Sequence, residues 1–323
     1  MSNSSTISVA NETQDDCRFL SDVVAGLAKE RRTLPCKYFY DRRGSHLFDQ
    51  ICELDEYYPT RTELAIMQQC AQEMGEQIGP GAMLVEYGSG SSTKTRLLLD
   101  HLIDPIAYVP VDVSREHLHD TAADLADAYP HIDVLPVCAD FTRDFDLPAA
   151  GRLETHDAVY FPGSTIGNFE PPEVTRLLQQ IVSLCGTGGG LLIGIDLQKD
   201  VDILTAAYND SLGVTAQFNL NVLHRINREL GANFKVDDFR HVAIYNQTVG
   251  RIELYLESLL QQTVELEEHH FSFAAGERIC TEYSHKYTID GFAAIAESVG
   301  LTLRRQWLDE NEYFAVLHFA LLE

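Results

Sequence analysis

The sequence predicts an α/β fold in which a mostly parallel sheet carries helices on both faces. From Met83 to Asp196, short apolar stretches alternate with amphipathic ones, as in successive strand–helix units. The glycine turn Gly88-Ser89-Gly90 joins the first strand to its helix. The alternation stops near residue 198 and resumes after Lys286, so the sequence also predicts a second, α+β domain.

The segment before the sheet is predicted to be helical. Residues 1–16 are polar and are expected to form a frayed tail. Helices are expected at Phe19–Arg31 and Gly44–Leu54. Thr60 and Glu63 have the spacing of a capping box, in which each side chain bonds the other residue's backbone, so a third helix is predicted to open there.

The sheet is expected to contain five parallel strands and a terminal antiparallel hairpin, an arrangement that is Rossmann-like. The parallel strands are predicted at Met83–Tyr87, Ile106–Asp112, Ile132–Ala139, Asp157–Phe161 and Leu191–Asp196. The helices of this part are predicted at Thr93–His101, Arg115–Ala128, Pro172–Leu184 and Ile289–Val299. The hairpin strands are Leu301–Leu308 and Tyr313–Leu321, which are too close in the chain for a parallel crossover.

The second domain is expected to combine helices with alternating strands. The helices are predicted at Val201–Leu212 and Ala216–Leu230, and the strands at His241–Thr248 and Arg251–Ser258. Tyr208 would then lie on the first of these helices, with Thr215 nearby.

Composition argues against several classes of function. With 24 basic and 49 acidic residues the net charge is −25, so no binding to nucleic acid or to anionic membranes is expected. No apolar run approaches the roughly 18 residues of a membrane helix, and the polar amino terminus does not resemble a signal peptide. Seven scattered cysteines lack metal-ligand spacing, which predicts a cytoplasmic protein with no bound metal.

The glycine turn is the first candidate binding site. Glycines between a strand and a helix let a ligand approach the backbone, where the start of the helix offers unpaired N–H groups. A dinucleotide fingerprint needs a third glycine where Thr93 stands, which counts against a nicotinamide cofactor. Glu86, just before the turn, suits a ligand that carries an amine. A purely structural turn is the alternative for this motif alone.

Acidic residues follow the next two strands. Asp112 ends the second strand, where a carboxylate can accept hydrogen bonds from ribose hydroxyls. Asp140 and Phe141 follow the third strand and suit an adenine amine and ring. The alternatives are a helix cap at Asp112 or Ser114, and a turn aspartate with a core phenylalanine after the third strand. Taken with Glu86, these acidic strand ends indicate an adenosyl cofactor without a pyrophosphate, namely S-adenosylmethionine.

Two further segments carry polar residues suited to a small substrate. In the loop after the fourth strand, Asn168 offers a neutral amide; a helix cap before Pro171 is the alternative. Glu282 and Ser284 point to one face of a predicted strand and could together bind a small polar ring; an exposed strand edge is the alternative. His285 lacks a partner at metal-ligand spacing and is interpreted as a surface residue.

These motifs resemble those of the histidine-specific, S-adenosylmethionine-dependent N-alpha-methyltransferases of ergothioneine biosynthesis. The resemblance runs from about residue 35 to the end of the chain and rests on six segments: Lys37-Tyr38-Phe39-Tyr40-Asp41, Glu56-Tyr57-Tyr58-Pro59-Thr60-Arg61, Gly88-Ser89-Gly90, Gly163-Ser164-Thr165-Ile166-Gly167-Asn168, Gly213-Val214-Thr215-Ala216-Gln217-Phe218-Asn219 and Thr281-Glu282-Tyr283-Ser284. It implies a class I methyltransferase core that binds S-adenosylmethionine at residues 61–196 and 287–323. It also implies an α+β substrate-binding domain at residues 1–60 and 197–286.

The resemblance implies a role for individual residues. The residues at the cofactor would be Glu86, Gly88, Lys94, Asp112, Asp140 and Phe141. The substrate carboxylate would be held by Asn168 and Tyr208, and the imidazole ring by Tyr57, Glu282 and Ser284, with Leu254 also near the ring. The pocket around the amine would be shaped by Tyr40, Phe48, Gly163 and Thr215. Tyr40 and Asn168 would be the catalytic residues.

The implied activity is the transfer of three methyl groups to the α-amino nitrogen of L-histidine, which gives hercynine. The Glu282 and Ser284 pair favours histidine over tryptophan, because tryptophan has no second ring nitrogen to satisfy. Two alternatives stay open: an N-methyltransferase for another small amine or amino acid such as tryptophan, and a non-catalytic module that binds S-adenosylmethionine. We expect a monomer.

Overall fold

The structure is a computed structural model that describes residues 18–90 and 92–321. The predicted amino-terminal tail lies outside these residues. By its contacts the chain divides into two compact units. The large unit comprises Tyr58–Lys199 and His285–Glu323, and the small unit comprises Met1–Tyr57 and Asp200–Ser284.

The helices and strands of both units are numbered in chain order. The helices are α1 (residues 18–27), α2 (Arg42–Cys52), α3 (Tyr58–Ile78), α4 (Thr93–Leu99), α5 (Arg115–Ala128), α6 (Pro171–Cys185), α7 (Val201–Ala207), α8 (Val214–Leu230) and α9 (Ile289–Glu297). The strands are β1 (Ala82–Tyr87), β2 (Ala107–Asp112), β3 (Asp133–Val134), β4 (Val137–Cys138), β5 (His156–Phe161), β6 (Gly190–Asp196), β7 (Phe239–Asn246), β8 (Arg251–Ser258), β9 (Gln262–Leu266), β10 (His269–Phe273), β11 (Arg278–His285), β12 (Leu301–Leu308) and β13 (Phe314–Leu321). Short 3-10 helices lie at Cys36–Phe39, Thr165–Asn168 and Val236–Asp238.

The large unit is built on one sheet with strand order β12-β13-β6-β5-β1-β2-β3, and β4 also pairs with β2. The strands from β1 to β6 pair in parallel, whereas β13 is antiparallel to β6 and to β12. This confirms the predicted Rossmann-like sheet with its terminal hairpin. The predicted third strand, Ile132–Ala139, is instead two short strands, because Pro136 between them has no N–H to donate to a neighbouring strand.

Successive residues of the central strands face opposite sides of this sheet. From β1, Met83 and Val85 join a core with α6 and α9, whereas Leu84 joins a second core with α3. All six residues of β1 and all seven of β6 are buried. Burial on both faces explains why these strands are continuous apolar runs in the sequence.

The helix α3 begins two residues before the predicted capping box. Because α3 starts at Tyr58, Thr60 already lies inside its first turn. Glu63 is fully buried, and its carboxylate contacts other elements of the large unit. The capping-box prediction was therefore wrong.

The small unit contains the three-stranded sheet β11-β8-β7 and the two-stranded sheet β9-β10. The second of these was not predicted. The helix predicted at Val201–Leu212 ends at Ala207. It ends early because Asp210 serves the next helix instead, accepting hydrogen bonds from the backbone N–H groups of Val214 and Thr215, each at 2.8 Å.

No helix within residues 18–90 and 92–321 has both the length and the apolar character needed to cross a membrane.

Candidate active site

The turn between β1 and α4 leaves its backbone open. Gly88 and Gly90 have φ angles of 73° and 33°, a region that glycine adopts without the strain of a side chain. A Cβ atom built on Gly88 would meet no atom of the described residues within 4 Å. The N–H of Gly88 donates to the carbonyl of Val111 at 2.9 Å, which ties the turn to β2. A ligand can therefore approach this backbone closely.

Two acidic residues lie at the same edge of the sheet as this turn: Asp112 is the last residue of β2, and Asp140 follows shortly after β4. Asp112 lies opposite Cys138 in the β2–β4 pairing. In the β1–β2 pairing, Tyr87, which precedes Gly88, lies opposite Val111, which precedes Asp112. The half-buried Asp112 accepts a hydrogen bond from the backbone N–H of Ser114 at 2.9 Å. Asp140 accepts from the hydroxyl of Thr142 at 2.5 Å. Both carboxylates are thus oriented by local turns and reach partly into solvent.

Phe141 is anchored on one side by other aromatic rings. Its ring stacks on that of Tyr87 with centroids 5.1 Å apart and meets Phe161 edge-on at 5.4 Å. Part of the ring stays accessible. The core interpretation of Phe141 and a role in binding are therefore compatible, because an anchored ring can still offer its free surface.

Glu86 lies beneath the glycine turn in the interior of the large unit. Its carboxylate accepts hydrogen bonds from the hydroxyl of Tyr108 at 2.6 Å and of Thr95 at 2.8 Å. Burial raises the pKa of Glu86 to about 7. These hydrogen bonds connect β1, β2 and α4, so Glu86 stabilises the turn from the interior of the unit. A direct contact with the cofactor's amine stays a prediction.

A buried carboxylate that sequence reasoning missed links two predicted site residues. Glu63, on α3, accepts hydrogen bonds from Lys94 Nζ at 2.5 Å and from the backbone N–H of Gly163 at 2.9 Å. Lys94 is the predicted cofactor contact on α4, and Gly163 opens the loop after β5. The spacing of Glu63 from Thr60 suggested a helix cap. Nothing in the sequence near Glu63 indicates that its partners are the distant Lys94 and Gly163.

The loop after β5 leaves Asn168 available. The cap of α6 is Glu170, paired with Glu173 in a capping box, so the alternative that Asn168 caps this helix is wrong. Within the described part of the chain, the half-buried Asn168 side chain makes no hydrogen bond. Gly167 packs against the backbone of His285, since a Cβ atom there would lie 2.8 Å from the His285 carbonyl oxygen. The amide is therefore held on a closely packed loop, with its polar atoms unused.

The small unit brings three predicted substrate residues together. The hydroxyls of Tyr208 and Ser284 lie 2.8 Å apart, and the rings of Tyr57 and Tyr208 meet edge-on at 6.1 Å. All three residues are buried. Burial raises the pKa of Tyr57 well above its usual value, so its phenol stays neutral and keeps its proton to donate. Glu282 lies two residues before Ser284 on β11, is half-buried and faces the same side of the strand.

Aromatic rings extend this cluster within the small unit. Phe48 meets Tyr57 at 6.3 Å and Tyr40 at 5.5 Å between ring centroids. Phe218, which was not singled out as a site residue, packs against Tyr40 at 5.5 Å and Phe48 at 5.9 Å. The predicted pocket residues Tyr40 and Phe48 therefore belong to one connected group.

Thr215 and Leu254 are the two remaining predicted site residues of the small unit. Thr215 lies on α8, as Phe218 does, and Leu254 lies on the strand next to the one that carries Ser284. Thr215 is buried near the start of α8, and Leu254 is buried on β8, the neighbour of β11.

His285 is not a surface residue. Only 7% of it is exposed, and its Nε2 atom lies 3.7 Å from a carboxylate oxygen of Glu170 in the large unit. Separately, the described residues contain no group of three or more His, Cys, Asp or Glu side chains arranged to hold a metal ion.

A sequence model of the family described as "Histidine-specific methyltransferase, SAM-dependent" matches residues 19–321. The chain belongs to this family. Histidine N-alpha-methyltransferases from Mycobacterium tuberculosis and Mycolicibacterium smegmatis are each 41% identical to it; the first alignment covers 96% of this chain and 98% of the relative, and the second 94% and 96%. Ergothioneine biosynthesis protein 1 from Neurospora crassa is 32% identical over 87% of this chain, which matches 32% of that longer protein.

The residues of this histidine-specific methyltransferase fit S-adenosylmethionine, the methyl donor of its family. The open backbone at Gly88 leaves room for the donor's close approach. Two part-exposed carboxylates at neighbouring strand ends suit its ribose and adenine, and no pyrophosphate cradle is needed.

Proposed function

We propose that this enzyme transfers three methyl groups from S-adenosylmethionine to the α-amino nitrogen of L-histidine, forming hercynine for ergothioneine biosynthesis. The observation that carries the choice of histidine is the buried group of Tyr57, Tyr208 and Ser284 with Glu282 on the same strand face. The family and its 41% identical histidine N-alpha-methyltransferases support the reaction. We assign cofactor binding to the large unit and substrate binding chiefly to the small unit.

The cofactor would be held by residues along the carboxyl edge of the sheet. Asp112 would accept hydrogen bonds from the ribose hydroxyls, and Asp140 would accept one from the adenine amine while Phe141 lies against its ring. Gly88 and Lys94 would lie at the amino-acid end, with Glu86 below them. The supporting contact is the buried Glu63, which fixes Lys94 at 2.5 Å.

The substrate would be recognised at both ends. Asn168 and Tyr208 are neutral donors for the carboxylate, so they bind it without adding a counter-charge beside the amine. Glu282 can accept a hydrogen bond from one imidazole nitrogen, and Ser284 or Tyr57 can bond the other. An indole ring would leave one of these partners unsatisfied, which is costly in a buried site.

S-adenosylmethionine supplies a methyl group on a sulfonium sulfur, so the chemistry resides in the donor and the protein supplies position. Before each transfer the substrate nitrogen must lose one proton, because only its lone pair can form the new nitrogen–carbon bond while the carbon–sulfur bond breaks. A peptide α-amine has a pKa of about 7.7–8.0, and the substrate's own carboxylate raises it further. Desolvation beside neutral Asn168 and Tyr208 favours loss of that proton. We assign Tyr40, or a water beside it, to carry the proton away.

The pocket around the amine must tolerate an increasing number of methyl groups. Tyr40 and Phe48 would provide aromatic faces, on which a trimethylammonium product is favourably placed. Gly163 and Thr215 are small and leave room for the added carbon atoms. A binding site of this kind accommodates the first and the third transfer alike.

Two coarser expectations belong to the same proposal. The scattered cysteines favour a reducing, cytoplasmic environment, and the six in the described residues carry no disulfide. The net charge of −25 disfavours nucleic acid and anionic membranes as partners. We propose a monomer acting on a small molecule.

The test is mass spectrometry of reactions that contain the purified protein, S-adenosylmethionine and each of the twenty amino acids in turn. We expect a gain of three methyl groups on histidine alone. Methylation of tryptophan or another amino acid instead would overturn the assignment of Glu282 and Ser284. Cofactor binding without any methylated amino acid would overturn the proposed substrate class.

A further inference from the structure

The chain passes between the two units at three places, and each passage begins beside the same carboxylate. The passages lie at Tyr57/Tyr58, Lys199/Asp200 and Ser284/His285. On the large-unit side of each passage, a side chain bonds Asp196, the last residue of β6. These side chains belong to Tyr58, Lys199 and Lys286.

The contacts to Asp196 are short and use both carboxylate oxygens. The hydroxyl of Tyr58 lies 2.8 Å from each oxygen. Lys199 Nζ donates to Oδ1 at 2.5 Å and also to the hydroxyl of Tyr58 at 2.7 Å. Lys286 Nζ pairs with Oδ2 at 2.7 Å. One carboxylate thus joins three separate segments of the chain.

This cluster is withdrawn from water. The side chains of Asp196, Lys199 and Lys286 are 1%, 4% and 0% exposed. The two ammonium groups hold the pKa of Asp196 below its usual range, so the carboxylate is charged. Burying three ions is expensive, and well-packed apolar residues often give equal or greater stability. Such a cluster is better explained by the geometry that it fixes than by the stability that it adds.

The backbone of Asp196 holds a fourth segment. Its N–H donates to the hydroxyl of Ser164 at 2.9 Å, and Ser164 has a φ angle of 56°, which is unusual for a residue other than glycine. Ser164 leads directly into the 3-10 helix Thr165–Asn168. The unusual backbone conformation of the loop that carries Asn168 is therefore held from β6.

Three of the four segments bonded to Asp196, those at Tyr58, Lys286 and Ser164, carry a proposed histidine-binding residue within a few positions. Tyr57 precedes Tyr58, Ser284 lies two residues before Lys286, and Asn168 lies four residues after Ser164. We infer that Asp196 is a positioning residue for histidine: it fixes the large-unit backbone next to Tyr57 and Ser284 in the chain, and the loop that carries Asn168, without touching the substrate. This inference rests on the proposed function.

The test compares Asp196→Asn with a matched variant, Asp157→Asn, in the full-length protein. Asp157 lies on β5 of the same sheet, and its Oδ1 atom has no hydrogen-bond partner among the described residues, so it serves as a control for loss of a part-buried carboxylate. For each protein we would measure KM and kcat for histidine, the Kd of S-adenosylhomocysteine by calorimetry, and the melting temperature. Tyr58→Phe, which removes the Tyr58 hydroxyl but keeps the contacts of Lys199 and Lys286 with Asp196, provides a milder second variant.

We expect Asp196→Asn to raise the histidine KM roughly tenfold or more, because small misplacements of binding groups are costly. The cofactor Kd should change by less than about twofold, and Asp157→Asn should leave the histidine KM unchanged. A fall in kcat at unchanged histidine KM would show a merely structural role and overturn the inference. If Asp196→Asn does not fold, an unchanged histidine KM in Tyr58→Phe would overturn it. A wild-type protein that binds the cofactor but does not methylate histidine would refute the proposed function itself.

Discussion

The carboxylate of Glu63 accepts hydrogen bonds from the backbone N–H of Gly163 through both oxygens, at 3.0 and 2.9 Å. The same carboxylate pairs with Lys94 at 2.5 Å. Glu63 is fully buried, whereas the Lys94 side chain is 15% exposed. A single residue of α3 thus fixes both the start of α4 and the loop after β5.

Replacing Glu63 by Gln should destabilise the protein, because it leaves Lys94 without its charged partner and weakens the bonds to Gly163. We expect a loss of roughly 2 kcal/mol in the free energy of unfolding, as for hydrogen bonds to charged groups. Urea unfolding followed by circular dichroism measures this. Glu76→Gln, an exposed change on the same helix, should shift the midpoint little. Equal effects of the two variants would contradict the assigned contacts.

Replacing Glu282 by Ala should weaken histidine binding selectively. The change removes a proposed acceptor for an imidazole nitrogen, so we expect the histidine KM to rise by about tenfold or more. The Kd of S-adenosylhomocysteine should stay within about twofold of the wild-type value. Steady-state kinetics and calorimetry give the two quantities, and the exposed Glu268→Ala serves as the control in the small unit. An unchanged histidine KM would remove Glu282 from the site.

Replacing Asp112 by Ala should weaken cofactor binding. Losing a charge-assisted hydrogen bond to a ribose hydroxyl costs about 1.5–3 kcal/mol, which corresponds to roughly a tenfold to hundredfold rise in the cofactor Kd. Calorimetric titration with S-adenosylhomocysteine measures it, with the exposed Asp120→Ala of α5 as the control. If only the histidine KM changes, Asp112 does not hold the ribose.

Glu86 should make stability depend on pH. Its pKa is about 7 in the folded protein, against 4.5 for an ordinary glutamate, so the folded state holds an extra proton between these values. The stability that Glu86 contributes is therefore greatest below pH 4.5 and is lost as the pH rises towards 7. Glu86→Gln should gain stability relative to wild type over this range, by up to about 3 kcal/mol. Urea unfolding at pH 5 and pH 8 measures the difference, and a difference independent of pH would contradict the assignment.

The central sheet could be predicted because its signals are local. Burial on both faces makes β1 and β6 continuous apolar runs, and the glycine turn after β1 marks the change from strand to helix. The hairpin β9–β10 was missed although Val264 and Leu266 alternate with polar residues, since the acidic residues around its turn resemble a solvated loop. The single proline at position 136 was not recognised as a break between two strands.

Long-range contacts explain where prediction of the site failed. Glu63 has a capping-box spacing, yet its partners lie 31 and 100 residues away along the chain. His285 stands alone in its segment, and its burial depends on packing against distant elements. The proposed binding residues of the small unit were instead predicted from a resemblance, and the hydroxyls of Tyr208 and Ser284 lie 2.8 Å apart.

The edge strands of the large sheet bear on whether two molecules can pair edge to edge in concentrated solution. At one margin, Pro136 limits β3 and β4 to two residues each. At the other, β12 has an irregular register between Leu303 and Arg305, and its exposed Arg304 and Arg305 carry charge. A strand that is short, bent or charged is a poor template for pairing with another molecule. Both edges of this sheet are therefore poor templates for edge-to-edge pairing with a second molecule.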